Sequence, residues 1–219
     1  MPSRAGKVRI KTPIDELQRS GILICLDKRN VAISPSELFC NNNLTEVEIG
    51  CGKGGVLLHR AASCSFINII GVEWLRSYAA LTADRIFRRQ IGNARVVHAD
   101  AGEITNYLQE ETIWRVYILF PDPWPKRKHW KRRLITQTFM QLLVRRLKIG
   151  GTIYIATDHE AYFHKIRQVL NNTSGLATVT GSDQLLYDNL LRYSNYARKH
   201  ATMNKNIYTL VALRYSKSD

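Results

Sequence analysis

The sequence predicts an open α/β fold on a mostly parallel sheet, and three observations predict it. Short apolar runs at 47–49, 66–72, 94–97, 116–120 and 152–156 alternate with helix-length segments, the pattern of successive βα units. A glycine-rich turn, Gly50-Cys51-Gly52-Lys53-Gly54-Gly55, follows the first of these runs directly. The 219 residues, 45% of them hydrophobic, suffice for one core and would be cramped as two.

Residues 1–43 mix basic and apolar residues with Pro13, Pro35 and the run Asn41–Asn43. They read as an N-terminal basic arm with one helix, leaving 44–219 as the main domain. Ala80, Ala83 and Phe87 share one helical face, with Arg76, Arg85, Arg88 and Arg89 left over for solvent or a partner. Ile135, Phe139, Leu142, Leu143 and Leu147 repeat the period and predict a helix that stops at Gly150 and Gly151. Beyond Asn171, the runs 176–180 and 207–213 predict a late antiparallel hairpin that closes the sheet.

Charge narrows the partners. Lys and Arg number 32 against 18 Asp and Glu, a net charge of +14, so the surface attracts a polyanion. The excess is concentrated, because six of the eight residues from Lys126 to Arg133 are Lys or Arg, interleaved with His129 and Trp130. Cations there contact phosphate and release counterions, and an aromatic among them stacks on an unpaired base. Cys25, Cys40, Cys51 and Cys64 form no CxxC pair, which predicts reduced thiols and no metal site. The opening residues lack the apolar core of a signal peptide and no run is long enough to span a bilayer, so a cytoplasmic protein without a membrane partner is expected.

The glycine turn is a cofactor turn in kind: glycines permit positive φ and let a ligand approach the backbone. Gly50, Gly52 and Gly55 also satisfy the dinucleotide pattern, so the turn alone leaves a dinucleotide, a methyl donor and a plain tight turn open. The acids that follow favour the methyl donor. Glu73 ends the second regular strand, where a carboxylate accepts from both ribose hydroxyls of an adenosine-containing cofactor. Asp100, followed by Ala101, ends the third, within reach of an adenine amino group. Glu48 adds an acid beside the turn. Carboxylates suit a sulfonium and an amino acid ammonium better than they suit a pyrophosphate. Pro121, Pro123 and Pro125 then hold Asp122 on a stiff extended loop at the same sheet edge. His159 and His164 read as surface residues of a helix.

Together FPDPWPKRKHWKRR, VEIGCGKGG, GVE, HADA and TDHEAY, found between about Glu46 and Arg167, resemble the tRNA (guanine-N7)-methyltransferase family. The resemblance implies a Rossmann-like, class I S-adenosylmethionine-dependent methyltransferase fold, with S-adenosylhomocysteine as product and tRNA as partner. It implies that Glu48, Glu73, Asp100 and Asp122 contact the methyl donor, with Asp122 catalytic, alongside Gly50, Gly52 and Ala101 in the cofactor wall. Lys126 and Asp158 match positions assigned to the substrate, a guanine of the tRNA variable loop. Near the end, Ser194 stands where the family has Thr, and Ala197 where it has Glu. Loss of that carboxylate makes a noncatalytic or weakened RNA-binding relative the alternative; an NAD oxidoreductase gives no role to Asp122 or the basic run. Monomer and homodimer both stay open.

Overall fold

The computed structural model describes residues 9–26, 32–179, 189–194, 197 and 206–216. Eight strands form one sheet: β1 (Leu23–Cys25), β2 (Leu44–Ile49), β3 (Ile67–Glu73), β4 (Ala94–His98), β5 (Ile113–Leu119), β6 (Leu147–Thr157), β7 (Leu176–Val179) and β8 (Tyr208–Arg214), in the order β1-β4-β3-β2-β5-β6-β8-β7. The first six in that order pair in parallel, and β8 runs antiparallel to both β6 and β7. The fold is therefore the expected mostly parallel one with late antiparallel strands. All seven residues of β3 are buried, as a parallel strand covered on both faces requires.

Helices α1 (Ile14–Arg19), α3 (Gly55–Ser63) and α4 (Arg76–Arg88) lie on one face. Helices α5 (Ile104–Tyr107), α6 (Gln137–Arg146) and α7 (Glu160–Asn171) lie on the other, along with the short α2 (Pro35–Phe39). Alternation along β2 sorts its side chains: Val47 and Ile49 enter the core under α6 and α7, whereas Glu46 and Glu48 face α3. The chain leaves β2 toward β3 on one side and has β5 on the other, so the strand order reverses there. That switch point, at the carboxyl ends of the strands, is where open α/β sheets bind ligands.

Two elements differ from the sequence reading. Within the first 43 residues lies β1, which joins the sheet in parallel beside β4, and Leu17 and Leu23 are core residues. A three-residue strand carries too little periodicity to be seen. The helix expected to reach Gly150 stops at Arg146, because fully buried Leu147 starts β6 and pairs with Ile113. Gly150, at φ +79°, lies in the bulge between that pair and the next, Arg115 with Thr152. A leucine in the right helical phase is equally apt to begin a buried strand.

Candidate active site

The glycine turn is tied to β3 by its own backbone. Gly50 and Cys51 N–H groups both donate to the Val72 carbonyl, at 2.8 and 3.0 Å, so the chain folds over the end of that strand. Gly50, Gly52 and Gly54 have φ of +79°, +54° and +72°, which side-chain-bearing residues adopt at a cost. Gly54 is also crowded: a Cβ there would lie 2.4 Å from the Thr82 methyl of α4. The Thr82 hydroxyl donates to the Gly52 carbonyl at 2.9 Å, locking helix and turn together.

Glu73 closes the other side. Its Oε2 accepts from the Gly52 N–H and its Oε1 from the Leu75 N–H, both at 2.8 Å, so the carboxylate fastens the turn while keeping lone pairs for a ligand. Glu48 is buried beneath, and its Oε2 has no hydrogen-bond partner among the described residues. Burial pushes its pKa up to about 8, against the Leu57 N–H that favours the anion and with help from the charge of Glu73. Burial, then Glu48 and Glu73, also raise the Cys51 thiol well above its ordinary value, so it is a packing group rather than a nucleophile.

Asp100 is exposed after β4 and turns its Oδ1 to the Gly102 N–H at 2.7 Å. After β5, Phe120 donates its N–H to the Ala156 carbonyl at 2.7 Å, and Phe120 and Trp124 take φ of +53° and +42° on either side of Pro121-Asp122-Pro123. Two non-glycine residues in the left-handed region mark a loop whose surroundings fix it. The surroundings are visible: Arg133 Nε donates to the Pro123 carbonyl at 2.7 Å, and the Arg132 guanidinium lies 5.0 Å from the centre of the Trp124 ring. Glu48, Gly50, Gly52, Glu73, Asp100, Ala101, Asp122 and Ser194 line one cavity of about 800 Å³ at the switch point.

A family model described as "Putative methyltransferase" matches residues 42–210. A tRNA (guanine-N(7)-)-methyltransferase of Shewanella amazonensis is 38% identical over 151 residues, 68% of this chain and 63% of the relative. Its counterpart in Geobacillus thermodenitrificans is 32% identical over 184 residues, 81% of this chain and 83% of the relative. The chain belongs to the tRNA (guanine-N7)-methyltransferase family. Among solved structures, an antibiotic-related methyltransferase shares the fold at a TM-score of 0.61 and 16% identity, covering 85% of this chain and 96% of its own.

The methyltransferase cleft suits S-adenosylmethionine in its donor set. Glu48 brings a buried carboxylate oxygen with no hydrogen-bond partner among the described residues, a group that a cation would satisfy, and Glu73 and Asp100 add acceptors at the ends of the neighbouring strands β3 and β4. Lys126 and Asp158 are not among the lining residues: Lys126 is exposed before a 3-10 turn (Arg127–Arg132), and Asp158 follows β6 at the same sheet edge.

Sequence reasoning treated the basic run as one phosphate surface, and the structure divides it. Arg133 is half-buried and lies 5.0 and 4.6 Å from the ring centres of Trp130 and Tyr162, while Trp130 Nε1 donates to the Pro125 carbonyl at 3.4 Å. Arg133 thus braces the proline loop; Arg127, Lys128 and Lys131 are exposed. Trp74, Tyr78, Trp124 and Phe139 also line the cavity and were missed. Trp74, directly after Glu73, carried a signal in its position. His159 caps α7, its Nδ1 accepting from the Tyr162 N–H at 3.2 Å. Ala197 is buried among Tyr117, Tyr154, Leu190, Leu191 and Val211, and its N–H donates to the Ser194 hydroxyl at 3.4 Å.

Proposed function

We propose that this methyltransferase transfers a methyl group from S-adenosylmethionine to N7 of a guanine in the variable loop of tRNA. The observation that carries this reading is Asp122 on a braced proline loop, bordering the cavity between the Glu48, Glu73 and Asp100 wall and an exposed basic turn. The bound cofactor supplies an electrophilic methyl group on a sulfonium. In the proposal Glu48 holds the cationic amino acid end, Glu73 the ribose hydroxyls, Asp100 with Ala101 the adenine, and Gly50 and Gly52 leave the approach open.

Guanine N7 has an in-plane lone pair and no proton to lose, so this chain's task is alignment and charge stabilisation rather than proton abstraction. Asp122 orients the reacting pair and offsets positive charge as it develops on the base. Lys126 and Asp158 place the guanine from outside the cavity wall, with Ser194 on the inside. Residues 1–43 serve as a basic arm whose described part completes the sheet. Within the described residues no helix is long and apolar enough to cross a membrane, and a cytoplasmic setting, where tRNA is available, fits the proposed reaction.

The purified protein with labelled methyl donor and unmodified tRNA tests the reading, the product nucleoside being identified by mass spectrometry. 7-Methylguanosine mapped to the variable loop is expected. Cofactor binding with no methylation of any tRNA would leave the RNA-binding alternative in its place.

A further inference from the structure

Helix α4 presents a cationic strip that no part of the proposed site uses. Its sequence, Arg76–Arg88, holds three arginines, Arg89 follows, and Asp84 is its one acid. That acid is spent internally: it is 1% exposed, and its Oδ1 accepts from the Thr12 hydroxyl at 2.7 Å and from the Thr12 and Lys11 N–H groups at 2.9 and 3.4 Å. Its Oδ2 lies 3.6 Å from Arg88 Nη1. The latch therefore brings Arg9 and Lys11, both exposed, alongside Arg88. One residue past Asp84, Arg85 Nη1 donates to the Lys53 carbonyl at 2.6 Å, and Lys53 Nζ lies 5.4 Å from the centre of the Tyr78 ring. Lys53 and Tyr78 line the cavity.

Lys53 at the cavity mouth, Arg85 bonded to its carbonyl and Arg88 one turn further thus follow the length of α4, roughly 15 Å from Tyr78 to Arg88 at 1.5 Å per residue. Lys131 and Arg132, across the cavity, belong to the 3-10 turn after β5. The cleft accordingly has two basic walls on unrelated elements. A row of cations held on a helix suits regularly spaced phosphates, even with Asp15 and Glu16 on the neighbouring α1, and its end at the cavity suits a polymer whose base enters there.

We propose that Lys53, Arg85, Arg88, Lys11 and Arg9 form a second RNA-binding wall, which holds the phosphate backbone of the tRNA body while the 3-10 turn engages the target loop. The inference rests on the tRNA reading. It is tested by the full-length variant Arg9→Gln/Lys11→Gln/Arg88→Gln, which leaves the cavity lining and the Thr12–Asp84 latch in place.

Binding of whole tRNA and of a short hairpin bearing only the variable loop is measured against salt. For tRNA, the slope of log affinity against log salt is expected to fall by about two to three, one for each lost phosphate contact. Hairpin binding and S-adenosylhomocysteine affinity should be unchanged. A wild type with steep salt dependence and a variant with the same slope would overturn the second wall alone, leaving the strip to an acidic protein surface. Equal losses for hairpin and tRNA would also overturn it. A wild type without salt-dependent tRNA binding would overturn the tRNA reading itself.

Discussion

Glu48, proposed above to hold the cationic end of the cofactor, is buried at an energetic cost to its charged form. Its carboxyl is buried, faces Glu73 and Cys51, and among the described residues receives the Leu57 N–H alone, so burial pushes its pKa up to about 8. The unfolded chain loses the Glu48 proton near its ordinary 4.5, hence the native state binds more protons between the two values. Stability contributed by this group therefore falls as pH rises from about 4.5 to about 8, by on the order of a few kcal/mol, and Glu48→Gln should flatten that slope in denaturant titrations. A bound cation reverses the preference and expels the proton. Calorimetry of cofactor binding at pH 7 in buffers of different ionisation enthalpy should show release approaching one proton for wild type and none for Glu48→Gln; buffer-independent heats in both would remove Glu48 from the cationic subsite. Asp122 is a different case, exposed and fixed by its neighbours instead of by burial. Asp122→Ala is expected to lower the methylation rate by ~10² to 10³, the usual worth of a preorganised charge-stabilising group, with cofactor and tRNA affinities nearly kept. Single-turnover rates check it, and a loss confined to tRNA affinity would make Asp122 a docking residue.

At the scale of elements, the glycine turn is held from three directions: Val72 below, Glu73 beside, and Thr82 of α4 above. Gly54→Ala tests that arrangement, since its Cβ would meet the Thr82 methyl at 2.4 Å in a backbone conformation of φ +72°. Strain plus overpacking is expected to cost about 2 to 4 kcal/mol and to weaken cofactor binding by tilting the start of α3. Thermal unfolding and S-adenosylhomocysteine titration read the two effects, and a fully stable variant would mean that α4 yields easily. The basic 3-10 turn gives the complementary case, an element whose removal should spare the core. Lys128→Ala/Lys131→Ala weakens tRNA binding and lowers its salt slope by roughly two, with unfolding unchanged. An unchanged slope would relocate the target-loop contact. Such elements were legible to different degrees. The turn and the acids Glu48, Glu73 and Asp100 stood out because each falls at or beside the carboxyl end of an apolar run, β2, β3 and β4 in turn. The bracing of Arg133 on Trp130 and Tyr162 did not, since Tyr162 is distant in sequence and nothing local announces the pairing.

Across the whole molecule, the alternation of apolar runs disclosed the parallel sheet, but β1 escaped because its pairing with β4 spans some seventy residues. A polar centre within the fold escaped for the same reason. Glu46 is fully buried; Arg60 of α3 grips its carboxylate through Nε and Nη2, both at 2.8 Å, while Tyr117 OH and Arg115 Nη1 of β5 donate at 2.8 and 3.1 Å. One carboxylate thus ties β2, β5 and α3 together two residues before Glu48, on the same face of β2. Buried pairs of this kind add little relative to an apolar replacement of the whole set, yet removing one partner strands the others. Glu46→Gln keeps the shape and discards the charge that Arg60 and Arg115 share, so about 3 kcal/mol should be lost, or roughly 6 to 12 °C in melting temperature. Because α3 begins at the glycine turn, cofactor affinity should fall with stability, whereas Asp122→Ala spares both. A double variant, Glu46→Gln with Arg60→Met, should recover part of the loss by removing one stranded cation. If Glu46→Gln melts like wild type, the cluster is only tolerated by the fold; if the double variant is worse than the single, Arg60 contributes packing that does not depend on its charge.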